Sequence, residues 1–203
     1  MQTAALKVDD KQALRETILQ AAQGLFLEEG FEQFSMRRLA RKVGYSPTTL
    51  YIYFRDKQDI IFSLCEELFD HYLTELQRVA ETEVAPLERL KKSFLLSIDF
   101  GCSHQDHYRV AFFSDAPVYG SPDEFMTRDS LARRSYLFVR QVVIDCITCG
   151  VFRPVDPELV TQAFLTASHG VITAKIFWKD FPLLPSEALG ETLLRGLVKE
   201  FLA

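Results

Sequence analysis

The chain has 203 residues, of which 23 are Lys or Arg and 28 are Asp or Glu, giving a formal net charge of −5; 48% are apolar and 25% charged. That length buries a real core as one globular unit or two small ones, and the composition is that of an ordinary folded protein, which excludes wholesale disorder, a collagen repeat and a coiled-coil rod. No window approaches ~18 consecutive apolar residues, Asp9 and Asp10 follow Met1 too closely for a secretory leader, and Cys65, Cys102, Cys146 and Cys149 are too few and too irregular for a disulfide framework; the expectation is a cytoplasmic protein with free thiols and no membrane partner.

Charge is unevenly placed. Residues 1–60 carry a net +1 and residues 61–203 a net −6, while within Ser35–Gln58 the cations Arg37, Arg38, Arg41, Lys42, Arg55 and Lys57 face Asp56 alone, a net +5. A short basic segment on an acidic body points to a local polyanion contact, although a solvated charged face carries the same charges without one.

In chain order the pattern is helical throughout, with no stretch of strict apolar alternation between turn signals. The first helix is expected to start near Asp9 or Asp10, to bury Leu14, Ile18, Ala21, Ala22, Leu25 and Phe26, and to end at Gly30 in a left-handed conformation. Phe31 and Phe34 then turn back to the core. Ser35 caps a short second helix whose inner stripe is Leu39, Ala40 and Val43, and Gly44 stops it. Ser46 caps a third helix with Pro47 in its first position, running to about Phe54. Asp56 caps a fourth, and Ile61, Leu64, Leu68, Tyr72, Leu76 and Val79 make it one long amphipathic helix to about Glu83. Further helices are expected at about 86–103, 105–114, 122–149, 157–178 and 185–202, with the clearest loop over residues 115–122. The fold class is therefore all-α, with about nine helices: an amino-terminal three-helix helix-turn-helix domain over residues 1–60 and a carboxy-terminal helical bundle over 61–203.

Two short helices joined by Gly44-Tyr45-Ser46 form a helix-turn-helix, whose second helix enters a major groove while the first braces against the DNA backbone. At 100° per residue Leu50 and Phe54 face inward, Thr48, Thr49 and Ile52 face outward, and Tyr51 and Tyr53 flank the outer face. Thr hydroxyls and Tyr phenols donate to phosphates or base edges, and Ile52 meets a thymine methyl. Ser46 and the start of its helix receive a phosphate, and the Lys57 ammonium converges with the backbone N–H groups that open the fourth helix on one anion site.

The run Ser35-Met-Arg-Arg-Leu-Ala-Arg-Lys-Val-Gly-Tyr-Ser-Pro-Thr-Thr-Leu-Tyr-Ile-Tyr-Phe-Arg-Asp-Lys57 resembles the DNA-binding signature of the tetracycline-repressor (TetR) family, and Ile18–Phe26 with the Glu29-Gly-Phe31 turn is similar to the same family's first helix. The resemblance covers about the first 60 residues; beyond them it is one of length and helical pattern. It implies a homodimeric repressor whose two heads bind a palindromic double-stranded operator and whose carboxy-terminal core takes a small molecule that releases it. By position it implies Ser35, Arg37, Ser46, Pro47, Thr48, Thr49, Tyr51, Tyr53 and Lys57 as DNA contacts, with Tyr53 where His is common in the family. The net +5 is expected to give roughly four to six phosphate contacts per head.

Other constellations point elsewhere. Cys146-Ile-Thr-Cys149 has redox spacing but sits at a helix carboxy-terminus, where a thiolate is disfavoured. Cys102, His104, Asp106 and His107 have metal-ligand chemistry but no zinc spacing, so neither metal nor cofactor is assigned. Phe94, Phe100, Tyr108, Phe112, Tyr119, Phe138, Phe164 and His169 are candidates for an apolar pocket holding a small apolar or amphipathic ligand, and core packing accounts for the same aromatics. Two stripes on the last helices, Ala163, Ala167, Gly170 and Ala174 with Leu189, Leu193, Leu197 and Phe201, are candidates for a four-helix dimer interface; the alternative is that they face the protomer's own core. Competing functions are a helical adaptor or architectural DNA-binding protein without a small-molecule effector, and a small enzyme built on His169 or the 102–107 cluster. No paired carboxylates, nucleophile elbow or phosphate-cradling glycine loop supports the enzyme.

Overall fold

A computed structural model describes residues 2–113 and 118–203, with side chains from Lys11 onward. Its elements are α1 (Gln2–Gln33), α2 (Met36–Val43), α3 (Pro47–Tyr51), α4 (Lys57–Thr82), α5 (Pro86–Ser103), α6 (Gln105–Phe113), α7 (Pro122–Thr127), α8 (Leu131–Thr148), α9 (Pro157–Phe177) and α10 (Ser186–Phe201). No strand forms among the described residues; one isolated antiparallel bridge joins Phe152 to Leu202.

The all-α class holds, with ten helices among the described residues where about nine were expected. The extra one comes from the segment 122–149, which divides. Ser121 and Glu124 form a reciprocal capping box that starts α7. Arg128 then adopts an extended backbone, and Ser130 accepts the Arg133 N–H to start α8 afresh. Two capping signals in one periodic stretch make two helices. At the other end, α1 begins at Gln2, ahead of Asp9 and Asp10; no Gly or Pro separates Gln2 from Asp9, and Ala4, Ala5 and Leu6 favour helix. The capping side chains of Asp9 and Asp10 lie outside the described residues, as does part of the 115–122 loop.

The chain divides into two compact units, the described residues of Met1–Leu68 with Asp106–Arg128, and Phe69–Gln105 with Asp129–Ala203. The core of the first brings Ile18, Leu19, Ala22, Leu25 and Phe26 of α1 against Leu39 of α2, Leu50 of α3, Phe54 and the first two turns of α4, and Val110 of α6 joins it. Gly30 breaks α1 with φ +77°, a conformation that glycine adopts without a Cβ penalty, and this releases Phe34 into that core. In the second unit, Phe94, Phe152, Phe164 and Phe201 pack with Leu90, Val142, Val143 and Val160 between α5, α8, α9 and α10. Close approach there is set by two glycines: a Cβ on Gly101 would meet Ile172 at 2.6 Å, and one on Gly190 would meet Ile98 at 2.8 Å. The last residues are tied down, Arg153 N–H donating to the Phe201 carbonyl at 3.0 Å and Ala203 N–H to Val151 at 3.1 Å.

Candidate nucleic-acid interface

The helix-turn-helix is built by local capping. The Ser35 hydroxyl accepts the Arg38 N–H and the Ser46 hydroxyl oxygen accepts the Thr49 N–H at 3.1 Å. Gly44 closes α2 with φ +75°, ψ +23°, and Tyr45 N–H returns to the Ala40 carbonyl at 3.0 Å. These bonds fix the turn between α2 and α3. Leu50 (0% exposed) and Phe54 (2%) fasten α3 to the core, and Ile52 stands 66% exposed on the opposite side. Thr48 and Tyr51 are also exposed, Thr49 and Pro47 half-exposed.

Three details differ from the expectation. The third helix ends at Tyr51 rather than near Phe54, because Ile52 and Tyr53 turn their N–H groups to the Thr49 and Leu50 carbonyls in a tightened last turn. Tyr53 does not flank the outer face freely: its ring is half-buried against the first core, with the Lys11 ammonium 5.9 Å from its centroid. And the Lys57 ammonium does not sit over the start of α4. It donates to the Phe31 carbonyl at 3.2 Å and lies 4.0 Å from the centre of the Phe31 ring. The N–H groups that open α4 are capped internally, Asp56 accepting from Asp59 N–H at 2.8 Å.

The basic segment is also partly neutralised from outside its own limits. Arg38 pairs with Glu29, Lys42 with Glu28 and Arg55 with Asp59. Counting those three acids lowers the local net charge from +5 to +2. Arg37 and Arg41, four residues apart on α2, are exposed and make no ion pair with the described residues. Arg41, counted with the basic segment but not among the individual DNA contacts, and Tyr45, not named as a contact, are both exposed beside the turn. For Arg41 the signal was present, since a row i, i+4 from Arg37 shares its face; Tyr45 gave none, because a turn residue has no periodicity to read.

The remaining candidates scatter. Phe94 and Phe164 meet edge to face at 5.5 Å inside the second core, where they fill space rather than line it. Phe138 is half-buried against the same core. The Tyr108 and Phe112 rings meet at 4.4 Å, tilted by 33°, in the first unit. Tyr119 borders a cleft of about 380 Å³ with Glu124 and Arg128, its phenol donating to Glu66; burial and that carboxylate push the phenol well above its ordinary range. Phe100 lines a different cleft of about 430 Å³ between α4 and α5 with His71, Glu75, Arg78 and His104. The eight pocket candidates thus do not converge on one described cavity. His169 is half-buried on α9, and desolvation lowers its pKa, which favours the neutral ring.

His104 stacks on Phe100 at 4.1 Å and its Nδ1 lies 2.9 Å from the Phe100 carbonyl, while the Cys102 thiol lies by Ser186. No group of three or more His, Cys, Asp or Glu among the described residues is placed to hold a metal ion. Cys146 is buried with its thiol pushed up to about 12, chiefly by burial, so it is held as a protonated core residue; Cys149 caps α8 and is exposed.

On the last helices the expected stripes are rotated. Phe201 is buried beside Phe152 and Phe164, and Ala163, Ala167, Leu189 and Leu197 pack partly against the same core; Ala174 is half-buried. The reason is that α10 also has to cover α5, through Gly190 and Leu194. The exposed residues of α9 are instead Leu159, Gln162, Leu165, Thr166, Gly170 and Phe177, and α10 presents Leu193 (39% exposed) and Gly196. A Cβ on Gly170 or Gly196 would meet nothing within 4 Å.

An exposed, capped helix-turn-helix of this geometry defines a DNA-binding protein of the bacterial helix-turn-helix class. Residues 18–64 match the family model for bacterial regulatory proteins of the tetR family. The chain is 26% identical over 155 residues to the HTH-type transcriptional regulator HbdR of Aromatoleum sp. (strain CIB), covering 76% of this chain and 67% of that one. The fold is shared with the transcriptional regulator FadR of Bacillus subtilis in complex with stearoyl-CoA (TM-score 0.74, 18% identity, 89% of this chain and 96% of that one). It is also shared with the ketosteroid transcriptional regulator KstR2 of Mycobacterium tuberculosis (TM-score 0.68, 20% identity, 93% and 95%). Residues 18–64 thus carry the DNA-binding region of the tetR family, and the chain is similar to transcriptional regulators of that family over most of its length. No helix among its described residues is long and apolar enough to cross a membrane.

Proposed function

We propose that this chain is a homodimeric cytoplasmic repressor, not an enzyme, that holds a palindromic operator and leaves it when a small apolar or amphipathic molecule binds the carboxy-terminal part. In this reading residues 1–60 are the DNA-binding head and residues 61–203 carry ligand binding and dimerisation. The observation that carries it is the two-sided segment formed by α3 and the turn after it: Leu50 and Phe54 locked into the core, Thr48, Tyr51 and Ile52 left outside. An exposed isoleucine and tyrosine on a rigid, capped helix have a use on base edges and none in water. Arg37 and Arg41 contact phosphates from α2, and the Ser35 and Ser46 hydroxyls, whose oxygens already serve as caps, donate their protons to others. The outward rows of α9 and α10, open at Gly170 and Gly196, support a two-helix face on each protomer. The shared fold with a regulator that holds stearoyl-CoA supports an acyl-type or similarly apolar effector.

The test is binding-site selection from genomic DNA, followed by fluorescence anisotropy on the selected operator with acyl-CoA and sterol probes. A selected palindrome from which one of these probes releases the protein is the expected result; a non-palindromic or sequence-indifferent footprint overturns the reading.

Lys57 gives a second check. Lys57→Ala removes both a phosphate cation and the clamp on Phe31. The operator salt slope is expected to fall by about one unit per head, and the melting temperature to drop by a few degrees, since an amide carbonyl and a cation–ring contact of about 0.5–2 kcal/mol are lost together. A salt titration with an unchanged slope alongside a lowered melting temperature would assign Lys57 to the fold alone.

A further inference from the structure

The turn between α9 and α10 exposes more apolar surface than any fold requirement explains. Trp178 is 57% exposed, Phe181 59% and Leu184 63%, and they follow Phe177, the last residue of the outward row of α9. The turn is ordered: Phe181 N–H donates to the Trp178 carbonyl at 3.1 Å and Leu183 N–H to the Phe181 carbonyl at 2.7 Å, and the two rings meet edge to face at 5.8 Å. Pro182 and Pro185 stiffen it further. A rigid aromatic pair held out in water is costly unless it is covered, and it loses little entropy on docking.

We propose that this turn is a clasp that seats on a second copy of the chain, Trp178 and Phe181 extending the α9–α10 face; the proposal rests on the dimer reading above. Area supports that occupant. Helices of 21 and 16 residues present faces about 31 and 24 Å long and about 10 Å wide, roughly 550 Å² per protomer. A standard stable interface needs about 800 Å² from each partner. Half-exposed large apolar residues add on the order of 100 Å² each, so Trp178, Phe181 and Leu184 together supply about the missing 250–300 Å². Charge agrees as well. Lys179 and Asp180 follow one another between Trp178 and Phe181 in the chain and are both exposed, so each protomer offers one charge of each sign, as a twofold contact in which residue i meets j and j meets i can use. Tryptophan in such a position is also the residue type most enriched among interface hot spots.

Trp178 is the only tryptophan in the chain, so its emission reports this turn alone. The full-length protein is diluted through its dissociation range while sedimentation follows the oligomeric state. The expected result is emission at shorter wavelength in the dimer that moves to longer wavelength as monomer appears, and dimerisation about 10–100-fold weaker in Trp178→Ala and Phe181→Ser, each with unchanged circular dichroism. A dimer whose emission stays constant through dissociation, and whose Trp178→Ala variant associates as tightly, overturns the clasp and leaves the helix-face dimer standing. A chain that is monomeric at every concentration overturns the dimer reading, and the clasp with it. Emission that shifts only on adding phosphatidylglycerol vesicles overturns the clasp in favour of a lipid surface.

Discussion

Thr166→Glu combined with Leu193→Glu is expected to yield a folded monomer whose operator affinity is about 10²–10⁴-fold lower than that of the parent protein. Both side chains are exposed on the outward rows of α9 and α10, so neither substitution removes core packing. A twofold interface over these faces would take in two new carboxylates from each protomer, and four like charges without partners cannot be desolvated together. What remains is a single head. Its second half-site was previously reached at the high effective concentration that tethering provides, and losing that tether removes about 10²–10⁴ in avidity without touching a DNA contact. Sedimentation equilibrium and operator titration measure the two effects separately. Leu197 is left alone in this design, because it packs partly against Phe201 and its neighbours and its replacement would confound dissociation with unfolding. A double variant that stays dimeric would place the interface elsewhere.

The choice of Thr166 over Ala163 or Ala167 shows where sequence reading reached its limit. Periodicity identifies that α9 and α10 are helices with an apolar stripe, and it identifies Leu50 and Phe54 as the buried side of α3. Those inferences need one helix and one core. The helices at the carboxy-terminal end are packed on several sides, so a small-residue row is equally consistent with a neighbour inside the protomer and with a second copy. Gly190 against Ile98 and Gly101 against Ile172 show small residues serving the protomer. Gly170 and Gly196 are the same residue type with open space beyond them. Nothing local distinguishes the two pairs. The capping residues were legible for the opposite reason: Ser35, Ser46 and Asp56 each act on an N–H three residues away. Charge was legible only in part. Glu28 and Glu29 lie outside the basic window in sequence and inside it in space, so the phosphate-binding charge read from the window alone was too high. The lower figure predicts a shallower salt dependence than four to six contacts per head would give. The aromatics give the weakest signal, since a phenylalanine that fills a core and one that lines a pocket have the same neighbours in sequence.

Ile52→Ser is expected to leave the fold intact and to alter what the head reads. Ile52 follows α3 as its carboxy-terminal cap, its N–H held by the Thr49 carbonyl at 3.2 Å and its side chain 66% exposed. Serine keeps the backbone bond, and an exposed substitution away from the core moves stability by no more than about 0.5 kcal/mol. On DNA the loss is specific. A thymine methyl packed on isoleucine meets a hydroxyl in its place, and discrimination at one base pair in each half-site is expected to drop by about 1–3 kcal/mol. Affinity for random DNA and the salt slope stay as they were, because no phosphate contact is removed. A competition assay over operators varied one position at a time, read alongside thermal melting, separates the outcomes. A flattened preference at one symmetric pair of positions with unchanged melting places Ile52 on a base edge. A uniform loss at all positions would instead place α3 against the DNA backbone, with the reading face carried by residues nearer Thr48.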